Sequence, residues 1–202
     1  MMLFAEKEMR PYWPFEDLSG PYDLIMADPP WKFLVRSEKG LGKSPDRHYA
    51  TMDLEEVALL PVADLAADNC LLWMWVTAPM LPMQLEIIER WGFSYKTNGV
   101  WVKTTISGGP AFGPGYLLRN AHENFVIATR GNCERVTNVR SVIMAKRREH
   151  SRKPDEAYDA AEMMRPGIDN PRRLDLFSRQ SRPGWDAWGN ETGKFKGGSD
   201  AG

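Results

Sequence analysis

The sequence lacks the features that mark several common protein classes. Its 202 residues include only two cysteines, Cys70 and Cys133, and three scattered histidines, which gives no zinc-ligand spacing. No apolar run approaches the length of a membrane span. The apolar start at residues 1–5 is too short for a signal peptide, because charged residues begin at Glu6. We therefore expect a cytoplasmic protein with no metal site and no membrane segment.

An excess of positive charge and a phosphate-binding loop are also absent. The formal net charge is −1, so binding to nucleic acid would have to come from local patches. No Gly-x-Gly-x-x-Gly follows a strand-like run. The glycine-rich segment 108–115 contains prolines, which lack an N–H, so it suits a lid better than a phosphate cradle. These absences disfavour a dinucleotide- or ATP-dependent enzyme, because those cofactors carry phosphates that need such a cradle. A cofactor without phosphate, such as S-adenosylmethionine, does not need one.

Strand-like and helix-like segments alternate along a chain that is long enough for one domain with its own core. The uninterrupted apolar run Cys70–Val76 indicates a strand buried on both faces. Further strands are predicted at 22–27, 95–103, 123–129, 139–145 and 174–177, and helices at 53–67, 79–91 and 154–164. This order predicts a single α/β domain over 21–191 with a Rossmann-like, doubly wound, mostly parallel sheet. An irregular arm is expected over 1–20 and a disordered tail over 192–202.

The most informative motif is Asp28-Pro29-Pro30-Trp31, which directly follows the apolar run Leu24–Ala27. In a doubly wound sheet, ligands bind beyond the carboxyl ends of the strands, so the motif is expected to face a ligand. Asp28 and the Pro29 carbonyl can each accept a hydrogen bond, and the proline backbone makes their directions stiff. Trp31 offers a π-face to a planar ring. The combination suits the N6 amine of adenine held for methyl transfer, and an ordinary turn after a core strand is the alternative.

Basic residues are concentrated between positions 146 and 153, just before the helix predicted to begin at Pro154. They are Lys146, Arg147, Arg148, Arg152 and Lys153. The stretch is either a solvated loop or a surface that contacts nucleic-acid phosphates. Polar residues that follow the last predicted strand are either ordinary surface or part of the ligand crevice.

Several sequence blocks between residues 22 and 191 resemble, in the same order, those of one known enzyme family. It comprises the N6-adenine methyltransferases related to the seventy-kilodalton catalytic subunit of the eukaryotic mRNA adenosine methyltransferase, with bacterial and phage members. The blocks are Ala27–Trp31, Tyr49-x-Thr51-Met52, Leu72–Thr77, Trp101–Thr104, Arg119-Asn120-x-His122-Glu123, Ser151-x-Lys153–Glu156, Leu176-Phe177-x-Arg179 and Trp185-x-x-Trp188–Glu191. The resemblance implies S-adenosylmethionine as methyl donor and adenine in nucleic acid as substrate.

The resemblance also implies roles for individual residues. The catalytic group would be Asp28, Pro29, Pro30 and Trp31. Together with the basic stretch, it gives an expected substrate-binding set of Tyr49, Lys32, Arg147, Arg148 and Lys153. The donor would contact Asp28, His122, Phe177, Arg179, Arg182, Asn190 and Glu191, with His122 standing where relatives have a cation for the methionine carboxylate.

The substrate is expected to be DNA. The chain shows no zinc fingers or other appended binding modules, as in bacterial and phage forms of the family. Methylation of RNA and a catalytically inactive, nucleic-acid-binding partner subunit are the alternatives. Assembly as a homo- or heterodimer is left open.

Overall fold

The computed structural model describes residues 14–32, 51–113, 117–133, 138–149, 151–164 and 168–195. Its strands are β1 (Tyr22–Ala27), β2 (Ala66–Val76), β3 (Ser94–Thr104), β4 (His122–Arg130), β5 (Val142–Lys146), β6 (Arg173–Leu176) and β7 (Asp186–Trp188). Its helices are α1 (Leu54–Ala58), α2 (Val62–Leu65), α3 (Leu81–Arg90) and α4 (Asp155–Met163), with a 3-10 turn at Ala78–Met80. None of these helices is long and apolar enough to cross a membrane.

The strands form one mixed sheet in the order β5-β3-β4-β2-β1-β6-β7. Strand β4 runs antiparallel to both of its neighbours, and every other adjacent pair is parallel. All strands except β4 therefore end on one side of the sheet, which we call the carboxyl edge. The predicted α/β class with mainly parallel pairing is confirmed, but the sequence pattern did not reveal that β4 is antiparallel.

Strand β2 lies in the middle of the sheet and is buried throughout its carboxyl-terminal half. Its side chains alternate between two hydrophobic cores, one on each face. Leu72 and Met74 belong to the core that includes Ile87 of α3. Trp73 and Trp75 belong to the core that includes Ala157 of α4. Helices therefore cover both faces, which explains why the strand carries an uninterrupted apolar run.

The helix predicted over 53–67 is two short helices, as Pro61 within it suggested. A capping box begins α1, in which the Asp53 backbone N–H donates to Glu56 Oε2 at 2.8 Å. The last residues of the predicted span already belong to β2. Helix α3 ends before Gly92, which adopts a φ of 80°, a conformation that glycine reaches without strain.

Two segments near the carboxyl terminus differ from the predictions. No strand was predicted after 174–177, but residues 186–188 form β7, which pairs with β6. The indole of Trp188 in β7 packs edge-on against the rings of Phe15 and Phe177, so this strand is held by aromatic contacts. Residues 192–195 were expected to begin a disordered tail, yet the Phe195 N–H donates to the Arg179 carbonyl at 3.0 Å. Residues 196–202 lie outside the described part of the chain.

A glycine in β3 marks a close approach between strands, and it gives the first prediction. A Cβ on Gly99 would lie 2.3 Å from Phe125 Cζ and 2.5 Å from the Ser141 carbonyl oxygen. The backbone oxygen cannot rotate away, so we expect Gly99→Ala to lower the free energy of unfolding by about 2–3 kcal/mol, measured by urea denaturation. Gly193→Ala is the matched control, because a Cβ there meets nothing within 4 Å. Equal stability of the two variants would contradict the close packing of β3.

Candidate functional site

Two adjoining cavities open at the carboxyl edge, where β1 and β6 end. The first cavity is lined by Asp28, Pro30, Met52, Phe177, Arg179, Trp188, Gly189, Asn190 and Glu191. The second cavity is lined by Asp28, Trp75, Ser151, Arg152, Lys153, Tyr158, Asp175, Phe177, Ser178, Arg179, Gln180 and Phe195. Asp28, Phe177 and Arg179 belong to both cavities and form their common wall. The site therefore lies where the strand directions of the sheet predicted it.

Backbone hydrogen bonds fix the Asp-Pro-Pro-Trp motif in place. The Asp28 N–H donates to the Leu176 carbonyl of β6 at 3.2 Å, which sets the carboxylate at the end of β1. The Trp31 N–H donates to the Pro29 carbonyl at 2.8 Å, and the Met52 N–H donates to the Pro30 carbonyl at 2.9 Å. The Pro29 carbonyl is thus already engaged once and keeps its second lone pair for another donor.

Trp31 does not take the position expected of it. Its bridge to Met52 draws the indole into the hydrophobic core, where Trp31 is buried and lines neither cavity. Within the described residues its Nε1 has no hydrogen-bond partner. The prediction that its π-face borders the base is therefore not supported by this arrangement, because the ring serves to pack the motif. Tyr49, the other residue expected to border the base, lies outside the described residues.

A chain of alternating charges runs from Asp28 into β4 and β3. The Lys153 Nζ lies 2.8 Å from Asp28 Oδ2 and 3.2 Å from Glu123 Oε2, and Lys103 Nζ lies 2.5 Å from Glu123 Oε1. Burial alone would lower the pKa of Lys153, but the two carboxylates outweigh it and raise that pKa. Burial would raise the pKa of Glu123, but Lys153 and Lys103 lower it to about 2. Lys153 and Glu123 are therefore both charged at neutral pH.

Asp175 adds a buried carboxyl group to the second cavity. The Tyr158 hydroxyl donates to Asp175 Oδ2 at 2.8 Å, and the Ser178 hydroxyl lies 2.7 Å from the same oxygen. Burial raises the pKa of Asp175 to about 6, and the nearby charge of Asp28 acts in the same direction. The hydrogen bonds from Ser178 and Tyr158 act in the opposite direction. A carboxyl group with this pKa exchanges its proton close to physiological pH.

The turn after β6 brings the remaining polar groups to the first cavity. Phe177 has a φ of 65°, which is uncommon for a bulky residue and is often found at functional sites. The Ser178 N–H donates to the Trp188 carbonyl at 2.9 Å, and a Cβ on Gly189 would lie 2.9 Å from this backbone. Arg179 NH1 lies 3.4 Å from Glu191 Oε2. The close backbone contact thus sets Arg179, Asn190 and Glu191 side by side.

The structure gathers one part of the predicted donor set and separates the other. Asp28, Phe177, Arg179, Asn190 and Glu191 all line the first cavity. Arg182 instead pairs with Asp155 and stacks over the Tyr158 ring, with its Cζ 3.8 Å from the ring centroid. His122 is exposed at the start of β4. Neither lines either of the two cavities, so their predicted donor contacts are not supported.

The predicted substrate-binding cations are also redistributed. Lys32 is exposed and pairs with Asp53 at 3.2 Å, and Arg148 pairs with Asp155 at 2.6 Å. Arg147 is exposed next to the end of β3, where its N–H donates to the Thr104 carbonyl at 3.0 Å. Lys153 was expected on a phosphate-binding surface, but its side chain is only 10% exposed inside the second cavity. The two carboxylates that flank Lys153 explain this difference.

Several site residues escaped the sequence analysis. Glu123 stood in a recognised block without a role, and Trp75 and Tyr158 were treated only as parts of a strand and a helix. Asp175 was included among the polar residues at the last predicted strand, as either surface or part of the ligand crevice, but was given no role of its own. It carried a usable signal, because it is a charged residue inside the otherwise apolar end of β6. A carboxylate in a buried strand needs partners, which points to a polar site nearby.

The raised pKa of Asp175 predicts a specific pH dependence of stability. Because the folded-state pKa of about 6 exceeds the ordinary value of 3.8, the folded protein binds this proton more tightly than the unfolded chain does. The free energy of unfolding of the wild type, relative to Asp175→Asn, should therefore rise as the pH falls from 7 to 4.5. Urea denaturation at the two pH values measures it, with exposed Asp169→Asn as the control. A difference that does not change with pH would contradict the raised pKa.

Comparisons with known proteins show the family of this chain. Residues 22–191 match the MT-A70 family. The chain is 32% identical over 189 residues to the type II methyltransferase M.MunI of Mycoplasma sp, which covers 84% of this chain and 77% of that protein. It is 33% identical over 183 residues to the N(6)-adenosine-methyltransferase MT-A70-like of Arabidopsis thaliana, over 87% of this chain and 24% of that protein.

A third relative is the human N(6)-adenine-specific methyltransferase METTL4, with 28% identity over 190 residues, which are 87% of this chain and 38% of that protein. The chain thus spans less than two fifths of each of these two eukaryotic relatives, and more than three quarters of the Mycoplasma protein. The family match covers all the segments that line the first cavity. On this basis, the chain belongs to the MT-A70 family.

Proposed function

We propose that this protein transfers a methyl group from S-adenosylmethionine to the N6 amine of adenine in DNA. The observation that carries the proposal is the position of the Asp28 carboxylate, on the wall shared by two cavities at the carboxyl edge. The two cavities together can hold the donor, while the carboxylate on their shared wall faces the amine. The names of the related proteins support adenine N6 as the target atom.

The residues of the two cavities fit the chemical groups of the donor. Phe177, Met52 and Trp188 give the first cavity apolar walls, and Arg179 and Asn190 add hydrogen-bonding groups, a combination that suits an adenosyl group. The second cavity presents the buried ammonium of Lys153, a partner for the carboxylate of an amino-acid group. Lys153 thus takes the role that the sequence analysis assigned to His122. The donor supplies an electrophilic methyl group when it is bound.

The protein's contribution to the reaction is to position and polarise the amine. The lone pair of the adenine amine is delocalised into the ring, which makes the nitrogen a poor nucleophile. By accepting a hydrogen bond from one N–H of the amine, Asp28 favours the tetrahedral state of the nitrogen and stabilises the positive charge that develops there. The free lone pair of the Pro29 carbonyl can accept the second N–H. Once it carries the methyl group, the amine nitrogen releases one proton to solvent and becomes neutral. Orientation and electrostatics supply most of the rate enhancement, and no covalent intermediate with the protein is needed.

DNA is favoured over RNA by the extent of the similarities. The type II methyltransferase is matched over 77% of its length. The relatives whose names specify adenosine or RNA are matched over 24–53% of theirs. Adenine in RNA presents the same amine, so RNA is the second candidate, and the experiment below separates the two.

Two features of the surroundings complete the proposal. Helices on both faces of the sheet support a doubly wound, Rossmann-like arrangement.

The segment between β3 and β4 exposes Ile106, Leu117 and Leu118, and these exposed apolar side chains support contact with a second protein chain. Light scattering of the purified protein measures its molar mass and so tests whether the second chain is another copy of this protein.

Methyl transfer from labelled donor to matched DNA and RNA oligonucleotides, single- and double-stranded, tests the function directly. We expect transfer to adenine in DNA, and Asp28→Ala should lower kcat/KM by about a hundredfold or more, because one acceptor of the transition state is lost. Binding of the donor by calorimetry and the melting curve serve as controls for folding. A folded Asp28→Ala variant with near wild-type turnover would exclude this mechanism, and transfer to RNA alone would reverse the choice of substrate.

The exposed cation of the basic stretch provides a separate prediction about nucleic-acid binding. Arg147 lies at the carboxyl edge, whereas Arg140 is exposed before β5, at the opposite edge. We expect Arg147→Glu to weaken binding of DNA and to reduce the slope of log Kd against log salt by about one unit. Arg140→Glu is the control and should leave the slope near the wild-type value. A slope that Arg147→Glu does not change would identify the stretch as an ordinary solvated loop.

A further inference from the structure

Lys153 occupies the acceptor that the proposed reaction needs. Its ammonium group has three N–H donors. Two carboxylates are within contact distance, Asp28 at 2.8 Å and Glu123 at 3.2 Å, and the centroid of the Trp75 ring lies 5.1 Å away. Asp28 therefore meets an incoming amine while one of its oxygens is already paired with a buried cation.

The two carboxylates are not equivalent partners of Lys153. Glu123 is also paired with Lys103, so it remains neutralised whatever Lys153 does. Asp28 has no second cation in the part of the chain that the structure describes. The Lys153 side chain is only 10% exposed, so its ion pair with Asp28 is unfavourable to break without a replacement, and separation is favoured when each group gains a new counter-charge.

The methyl donor carries both of the charges that such a separation requires. Its amino-acid group has a carboxylate, which can pair with Lys153, and its sulfonium is a cation, which can lie near Asp28. We propose that donor binding exchanges the Asp28–Lys153 ion pair for these two contacts, and that this exchange frees Asp28 to accept the adenine amine. The inference rests on the proposed function, and it adds an order: the donor binds before adenine is recognised.

Within this exchange, Glu123 and Lys103 act as positioning residues. They keep the ammonium of Lys153 near its place when Asp28 releases it, because the Glu123 carboxylate stays bound between two lysines. The pivot is therefore short and takes place inside the second cavity. If Lys153 contacted the donor carboxylate and also stayed paired with Asp28, Asp28 would remain masked. Donor and adenine could then bind in either order.

The first experiment compares two ligands, first on the wild-type protein and then on two lysine variants. By calorimetry, S-adenosylmethionine should bind about tenfold or more tightly than its decarboxylated form, since a charge-assisted contact to Lys153 is lost in the latter. The preference should fall to about onefold in Lys153→Met and persist in Lys146→Met, whose lysine is exposed. Equal affinities of the two ligands for the wild type would overturn the inference.

The second experiment asks whether Asp28 becomes available. Two single-stranded oligonucleotides are compared, one with adenine and one with purine, which lacks the amine, at the same position. Without ligand the wild type should bind both equally. With sinefungin, a donor analogue in which a carbon-borne ammonium replaces the methylated sulfonium so that no methyl group can be transferred, it should prefer adenine about fivefold or more, as expected for one hydrogen bond to a charged group. Lys153→Met should show that preference without ligand, and Asp28→Ala, which has no side-chain acceptor, should not show it at all.

The outcomes separate the inference from the proposed function. If Lys153→Met shows no preference for adenine without ligand, Lys153 holds the carboxylate but does not mask Asp28, and the exchange is excluded. If the ligand preferences hold while no oligonucleotide is methylated, the assigned substrate fails and the exchange stands. A melting curve for each variant confirms that it is folded before binding is measured.

Discussion

The ion pair between Asp28 and Lys153 is the contact on which the site depends. It joins the end of β1 to the segment before α4, and through Glu123 and Lys103 it reaches β4 and β3. The Lys153 side chain is only 10% exposed, and a charge so far from solvent is tolerated because two carboxylates lie beside it. The antiparallel direction of β4 makes this arrangement possible, because it places the start of that strand, with Glu123, at the edge where the other strands end.

Much of the fold was predictable because it depends on local pattern. The apolar runs of β1 and β2, the proline that divides α1 from α2, and the glycine after α3 each encode their own structure. Strand β7 was missed because three residues are too few to show alternation, and its stability comes from aromatic contacts with Phe15 and Phe177. The direction of β4 was missed because strand pairing is set by tertiary contacts.

The site shows the same division between local and distant causes. Asp28 and the polar residues after β6 and β7 were found because strand ends share one edge of the sheet. The positions of the cationic side chains were not found, because they depend on partners far away in the sequence. Asp155 pairs with Arg182, and Asp28 pairs with Lys153. A basic stretch therefore looks uniform in the sequence, although in the fold Arg147 faces solvent and Lys153 faces a cavity.

Lys153 and Lys103 each lie over the face of a tryptophan ring. Lys153 Nζ lies 5.1 Å from the Trp75 ring centroid, and Lys103 Nζ lies 5.1 Å from that of Trp101. A positive charge over the face of an indole is attracted by its π-electrons and in turn polarises them. Tryptophan emission responds to such local fields, so each of these indoles is a built-in optical probe. A change in the intrinsic fluorescence of the protein therefore reports movement of the ammonium groups of Lys153 and Lys103.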